Sequence, residues 1–394
     1  MRMSLWLCAG VALALSTFET PAQSEEIKIG AMMPLTRGGQ AGLSVRLGLD
    51  LAVKEINAAG GIGGRQVKLV VADTQGDPTM GVTEAKRLVF NEKVELVVGP
   101  AYSAVTIAAM PVLTSAKIAS INYSGSAKLT PKFGPYSFSF FADADMQAKL
   151  MFDYAKDHYS PKTIAILGDN GEFARTAVAS IKQAAEGAQI GVGGVQEYEL
   201  GAKDMTPQLL GLRQSAPDVV LLSASNGDDT GYLLKGMREI GWTVPIVGSF
   251  GSTWATQAMK IAGPEAYANL VGVNYRAFTF CAGGAPKQSF TDFYDRLNKE
   301  DPTNAPLASM TYASIAYDSL RLLKAAVEGS GGKTDGPTIA SWIEANNGTF
   351  EGVNSGLGAS AESHWLIGKN ALAIVRPDRM GVAGSQELAE NCAK

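Results

Sequence analysis

The sequence predicts an α/β protein of two lobes, each a parallel sheet with helices on both faces. Three observations point there. Short apolar runs rich in Val and Ile alternate with stretches of helical periodicity through most of the chain. That alternation runs to about residue 145 and then begins again. Several strands run straight into polar loops rich in Ser, Asn and Gly, the place where open parallel sheets take their ligands. The 394-residue length fits two domains of roughly 100–200 residues each.

Residues 1–22 read as a secretory signal. Arg2 supplies the positive start, Leu5 to Leu15 is an apolar run too short to span a bilayer, and Thr20-Pro21-Ala22 precedes a cut after Ala22. Bulky Leu7 ahead of Cys8 argues against a lipoprotein cut, so Cys8 leaves with the signal. No later stretch is long and apolar enough to cross a membrane, and the mature chain is expected to be exported and soluble.

The first lobe is expected over residues 26–145. Ile27 to Met32 is a strand, and Pro34 to Gly42 is a glycine-rich loop holding Gln40. Leu43, Leu47, Leu51, Val53 and Ile56 share one face of a helix ending near Asn57. The glycines of residues 59–65 follow that helix and lead into the strand Val67 to Ala72. A dinucleotide fingerprint has the reverse order, following a strand and opening a helix. Thr79 to Asn91 is helical. The strand at Val94 to Val98 tightens at Gly99-Pro100 and opens a helix with Ser103 at its expected N-cap, bent or interrupted near Pro111. Ile118 to Ile121 and Ser137 to Phe140 are further strands, the first ending in the polar loop Asn122 to Ser126.

The second lobe, residues 146–275, repeats the pattern. Helices are expected at Met146 to His158, Arg175 to Glu186 and Thr230 to Ile240. Strands are expected at Thr163 to Leu167, Val192 to Tyr198, Asp218 to Ser223, Pro245 to Gly248 and Leu270 to Val273. The chain then returns to the first lobe over 276–357, with helices at Gln288 to Lys299, Leu307 to Glu328 and Pro337 to Asn346 and a strand at Thr349 to Val353. Residues 358–394, with a strand at Ala371 to Val375, rejoin the second lobe. Hinge crossings fall near residues 145, 275 and 357.

The stretch from Val94 to Thr106 organises the rest. The free N–H groups and dipole at the start of its helix favour an anion such as a ligand carboxylate; a capped turn without ligand is the alternative. Facing lobes would place the loops near Ser103, Ser124, Phe173 and Phe250 around one cleft. The net charge of −4 argues against a nucleic-acid partner. With only His158 and His364, no metal-ligand spacing or Ser-His-acid set is visible, so neither catalysis, metal nor cofactor is expected. Export makes a disulfide between Cys281 and Cys392 the expected pairing, with two unpaired buried thiols as the alternative.

Assembled, the chain resembles the periplasmic substrate-binding proteins of ABC importers, in the branched-chain amino acid (Leu/Ile/Val) binding group. The motifs that carry this are Ile29-Gly30-Ala31-Met32-Met33-Pro34-Leu35-Thr36, Ala52-Val53-Lys54-Glu55-Ile56-Asn57 with Gly60-Gly61-Ile62, Asp73 to Asp77-Pro78, Val97-Val98-Gly99-Pro100 and Tyr317-Asp318. The resemblance implies a type I periplasmic binding protein: two Rossmann-like lobes joined by three hinge crossings, closing on a small molecule and docking as a monomer on a membrane permease. It places a carboxylate-binding Ser at Ser103, flanked by Ala101 and Tyr102. Helper groups fall in Tyr123, Ser124 and Ser126, where Gly125 replaces a common Thr. Gln40, Asn226, Phe173 and Phe250 complete the implied site.

The departures from the family pattern concern the ligand. Phe250 stands where amino-acid binders carry the acid that holds an ammonium, Phe173 where a Tyr is frequent, and Ala41 where another Tyr lies. The expected ligand is a carboxylate without an amino group, such as a benzoate or phenylpropenoate, stacked near Phe173, Phe250 or Tyr102. A branched-chain or other neutral amino acid is the alternative, with Asp228 or Asp229 as replacement acid; a ligand-sensing receptor is another.

Overall fold

Two sheets carry the fold. The computed structural model describes residues 25–36 and 39–389. The expected signal sequence and Cys392 lie outside them; Cys281 is disulfide-bonded.

In the first sheet, β1 (Glu26–Met33), β2 (Gln66–Asp73), β3 (Leu96–Ala101), β4 (Ala119–Tyr123) and β5 (Ser137–Ser139) run parallel in the order β2-β1-β3-β4-β5. In the second, β6 (Thr163–Asp169), β7 (Gly191–Tyr198), β8 (Val219–Ser223), β9 (Ile246–Gly248) and β10 (Leu270–Tyr275) form a parallel block ordered β7-β6-β8-β9-β10. Counted from its own first strand, each block has the doubly wound order 2-1-3-4-5. Three late strands extend the second sheet: β11 (Thr279–Phe280), β12 (Leu372–Met380), antiparallel to β10, and β13 (Gln386–Leu388). The apolar runs follow this order. Central β3 and β8 are buried throughout, whereas β2 and β7 at sheet edges are half-exposed.

The helices of the first half are α1 (Gly39–Ala58), α2 (Pro78–Lys86), α3 (Ser103–Ser115), α4 (Ala144–Tyr159) and α5 (Glu172–Gly187). They are followed by α6 (Thr206–Arg213), α7 (Gly227–Glu239), α8 (Ala255–Ala262), α9 (Gln288–Glu300), α10 (Met310–Gly329) and α11 (Gly336–Asn346). Aspartates start three of them. Asp77, Asp143 and Asp335 accept hydrogen bonds from Met80, Met146 and Thr338 N–H, and Pro78 and Pro337 stand in first turns where no N–H is needed. The long buried helix α10 returns to the first lobe and packs on α1. The contact is so close that a Cβ on Gly48 would lie 2.0 Å from the Ala313 carbonyl oxygen.

The passages between sheets lie side by side. The Ala142 N–H donates to the Tyr275 hydroxyl at 2.9 Å, which braces the first passage against the end of β10. Further along, Ser139 is bonded to His364 O and Leu366 N, which keeps the chain on the edge of the first sheet through Leu366. His364 helps hold it there, stacked on Phe138 and bonded to Ser137 O and Glu344.

Two local expectations are corrected. Residues 349–353 are not a strand. The buried Asp318 carboxylate accepts the Val353 and Asn354 N–H groups at 3.1 and 2.8 Å, so these donors bond a side chain rather than a neighbouring strand. Ser103 is not the N-cap of its helix. Tyr102 takes that place with φ of +69°, a left-handed conformation unusual for a bulky residue, and Ser103 becomes the first helical residue.

Candidate functional site

The carboxyl ends of the two parallel blocks enclose a cavity of about 400 Å³. Loops after β2, β3 and β4 bring Gln75, Tyr102, Ser103, Ala104, Tyr123 and Gly125 to it. Loops after β6, β7, β8 and β9 bring Glu172 and Phe173, Leu200 and Gly201, Ser225 and Asn226, and Phe250. Phe141 from the first passage and Tyr312 from α10 close the remaining wall. This is the crevice beside the point where strand order reverses, here formed twice and face to face.

The first-lobe wall offers donors. Helix α3 begins with no side-chain cap and no acid in its first turn, so its leading N–H groups and positive dipole end are unneutralised. The buried Ser103 hydroxyl accepts from Ser124 Oγ at 3.0 Å, which leaves its own hydrogen free to donate. Ser124 is steadied in turn by the Asn122 side chain, which accepts its N–H at 3.1 Å, and by Ser139 Oγ, which donates to its carbonyl at 2.6 Å.

The second-lobe wall is arranged oppositely. Its backbone donors are tied up by side chains, of which Asp169 and Asp229 are buried. Asp169 accepts Gly171 N–H at 2.8 Å through one oxygen and Ser225 N–H at 2.7 Å through the other. Asn170 accepts Leu200 N–H at 3.1 Å, and Asp229 accepts Gly201 N–H at 3.0 Å. Burial raises the Asp169 carboxyl above its ordinary range against those hydrogen bonds. Burial likewise pushes Asp229 up to about 7, opposed by the Gly201 N–H and reinforced by Asp169. Helix α7 is capped by its own Asn226, whose side chain accepts Asp228 N–H, and α5 carries Glu172 in its first turn. This wall presents two rings, Phe173 and Phe250, beside Glu172, Ser225 and Asn226. Phe250 packs edge-on to Phe141, Trp254, Tyr275 and Tyr312 with centroids 5.2–6.2 Å apart, and Gln147 holds its backbone N–H at 2.9 Å.

The lobes touch across the cavity. Lys128 Nζ from the first lobe pairs with Glu172 Oε1 from the second at 2.8 Å. A Cβ on Gly125 would lie 2.8 Å from the Phe173 ring and 2.8 Å from the Ala142 carbonyl oxygen, so the absence of a side chain at 125 is what admits Phe173.

Of the residues singled out from sequence, Tyr102, Ser103, Tyr123, Phe173, Asn226 and Phe250 line this cavity. Ala101 is buried in β3 behind it, and Ser124 stands behind Ser103. Ser126 is buried and accepts Lys128 N–H at 3.3 Å within its own loop. Gln40 is elsewhere: its amide donates to Leu307 O at 2.7 Å, and it lines a second cavity. Asp228 and Asp229 do not reach the wall; the acid that does is Glu172. Sequence reasoning missed Gln75, Phe141, Leu200, Ser225, Glu172 and Tyr312. The first five follow the ends of strands that the periodicity located, but Tyr312 sits in a helix that only the return to the first lobe brings to the cleft. Among the described residues, no group of three or more His, Cys, Asp or Glu is placed to hold a metal, and no helix is long and apolar enough to cross a membrane.

A family model described as periplasmic binding protein matches residues 26–379. The chain belongs to that family. Its members are substrate-binding proteins rather than enzymes, and this binding protein is of the ABC-transporter type. It is 26% identical over 345 residues to the Leu/Ile/Val-binding protein homolog 3 of Brucella melitensis, covering 86% of this chain and 88% of that protein. Its fold is shared with the branched-chain amino acid binding protein LivJ of Streptococcus pneumoniae, solved with isoleucine (TM-score 0.76, 22% identity, 92% of this chain and 98% of that one). A solute-binding protein of Rhodopseudomonas palustris BisB5, solved with 3,4-dihydroxybenzoic acid, has a TM-score of 0.77 at 20% identity, over 92% of this chain and 95% of that one.

Proposed function

We propose that this binding protein captures an aromatic carboxylate, such as a benzoate or phenylpropenoate, between its lobes and delivers it to an ABC permease. In this reading it acts as a monomer in the periplasm after cleavage near Ala22, with lobe boundaries near residues 145 and 275. The observation that carries the ligand class is Phe250. The second-lobe wall at this position is a buried aromatic cluster with no carboxylate to pair an ammonium. Opposite it, α3 and Ser103 offer donors that suit a carboxylate. Tyr102, Phe173 and Phe250 then flank the ring.

One observation favours a second reading, a neutral amino acid. Glu172 lines the cavity, and an ammonium could exchange for Lys128 as its partner. Thermal shift of the mature protein with benzoates, phenylpropenoates, aliphatic acids and neutral amino acids separates the two. A ligand at a hundred times its dissociation constant adds about 2.7 kcal/mol to stability. Stabilisation by aromatic acids and not by leucine supports the proposal. Stabilisation by leucine, lost in Glu172→Gln, replaces it with the second reading.

A further inference from the structure

The interlobe cleft has a second chamber. It measures about 260 Å³ and shares only Phe250 with the first among its lining residues, so the cluster of Phe250, Trp254 and Tyr312 divides one from the other. Its walls again come from both lobes: Gln40 and the start of α10 on one side, Trp254, Asn274 and Gln386 on the other.

The chamber contains the same feature as the first, an open helix start. Helix α10 is 20 residues long, has no side-chain cap and has no acid in its first turn. Its N-cap residue Ser309 is 8% exposed and lines the chamber, and its hydroxyl has no partner among the described residues. A second donor stands apart from the helix. Trp254, also 8% exposed and lining the chamber, has an indole Nε1–H with no acceptor among the described residues; the atom itself is closed off, so an acceptor entering the chamber meets it only as the ring shifts. A buried donor left unpaired is costly, and an incoming acceptor removes that cost. No lining residue carries a charge, so no acid repels an anion and no base neutralises one. Phe278, Tyr294 and Trp254 supply aromatic surface around these donors.

We propose that this chamber is a second binding site, for a small aromatic carboxylate held by the α10 N-terminus, the Ser309 hydroxyl and Trp254 Nε1–H. It shares no donor with the Ser103 site. An anion there joins α10 of the first lobe to Trp254 of the second, so its binding favours the closed arrangement.

Calorimetric titration of benzoate into the mature protein tests this, with Ser103→Ala used to weaken the first site. Retention of the wild-type melting transition is checked for each variant, and Trp254→Phe preserves the ring packing. The expected result is a binding event that survives Ser103→Ala and is weakened about tenfold by either Ser309→Ala or Trp254→Phe added to it. Loss of all benzoate binding in Ser103→Ala overturns the proposal, as does a surviving event indifferent to both further substitutions, or no benzoate binding at all. If leucine rather than benzoate occupies the first site, leucine binding falls in Ser103→Ala while the Ser309- and Trp254-dependent benzoate event remains. The two readings therefore fail separately.

Discussion

The two walls of the main cavity are built from the same unit, a parallel strand running into a helix, and end up chemically opposite. On the first lobe, α3 starts with neither cap nor acid, so its N–H groups face the cavity. On the second, Asp169, Asn170 and Asp229 take up the loop N–H groups from behind, Asn226 caps α7, and acids occupy the first turns of α5 and α7. The comparison teaches that strand order fixes where a site lies, while the satisfaction of a few backbone donors fixes what charge it accepts. One wall offers backbone and hydroxyl donors; the other sets Phe173 and Phe250 on a frame of buried acids.

If that contrast holds, substitutions on the two walls should separate stability from affinity. The largest effect is expected for Phe250→Ala. It removes a ring packed against four others, so denaturant unfolding should show a loss of about 3–5 kcal/mol together with weaker ligand binding. An unchanged midpoint would mean that the aromatic wall is not structural.

Asp229→Asn tests the buried frame. The folded chain holds this proton more tightly than the unfolded chain, because the carboxyl is raised to about 7. The stability it contributes is therefore complete below the ordinary carboxylate range and is lost as pH rises to about 7. Unfolding midpoints measured across this range should fall with pH in the wild type, by an amount on the order of a few kcal/mol at most, and fall less in the variant. Parallel profiles would remove Asp229 from the account.

Ser103→Ala belongs to the donor wall. Affinity for the ligand should drop about tenfold, while stability falls by about 1 kcal/mol through the acceptor lost to Ser124. Equal losses in Ser103→Ala and Phe250→Ala would erase the distinction between the walls. The smallest effect is expected at the clasp between them. Lys128→Ala should cost less than about 1 kcal/mol in ligand binding, and the difference should shrink as salt is added, because Lys128 is largely exposed.

Much of this was legible in the residues. Apolar runs and helical periodicity located most strands and helices, and Gly99-Pro100 followed by Ser103 marked the donor end of the cavity. Phe250, singled out in the same reading, does line that cavity. The errors have identifiable causes. The stretch at 349–353 has strand-forming residues, but Asp318, distant in sequence, captured its backbone donors. Gln40, expected in the glycine-rich loop, is the second residue of α1, and its amide bonds Leu307 O on the rim of the second chamber.

The sequence by itself determined the two-lobed α/β plan, the family resemblance and the helix start after Gly99-Pro100, because these follow from local periodicity and from motifs that need no distant partner. Only the tertiary structure decided the strand order that sets the crevices opposite one another, the arrival of Tyr312 from a returning helix, and the fit of Phe173 over Gly125. It also decided which acids lie behind the wall and which reaches the cavity. The physical reason is that these depend on contacts between residues far apart in the chain, and a run of residues does not encode which distant group will satisfy a buried donor or fill the space beside a glycine.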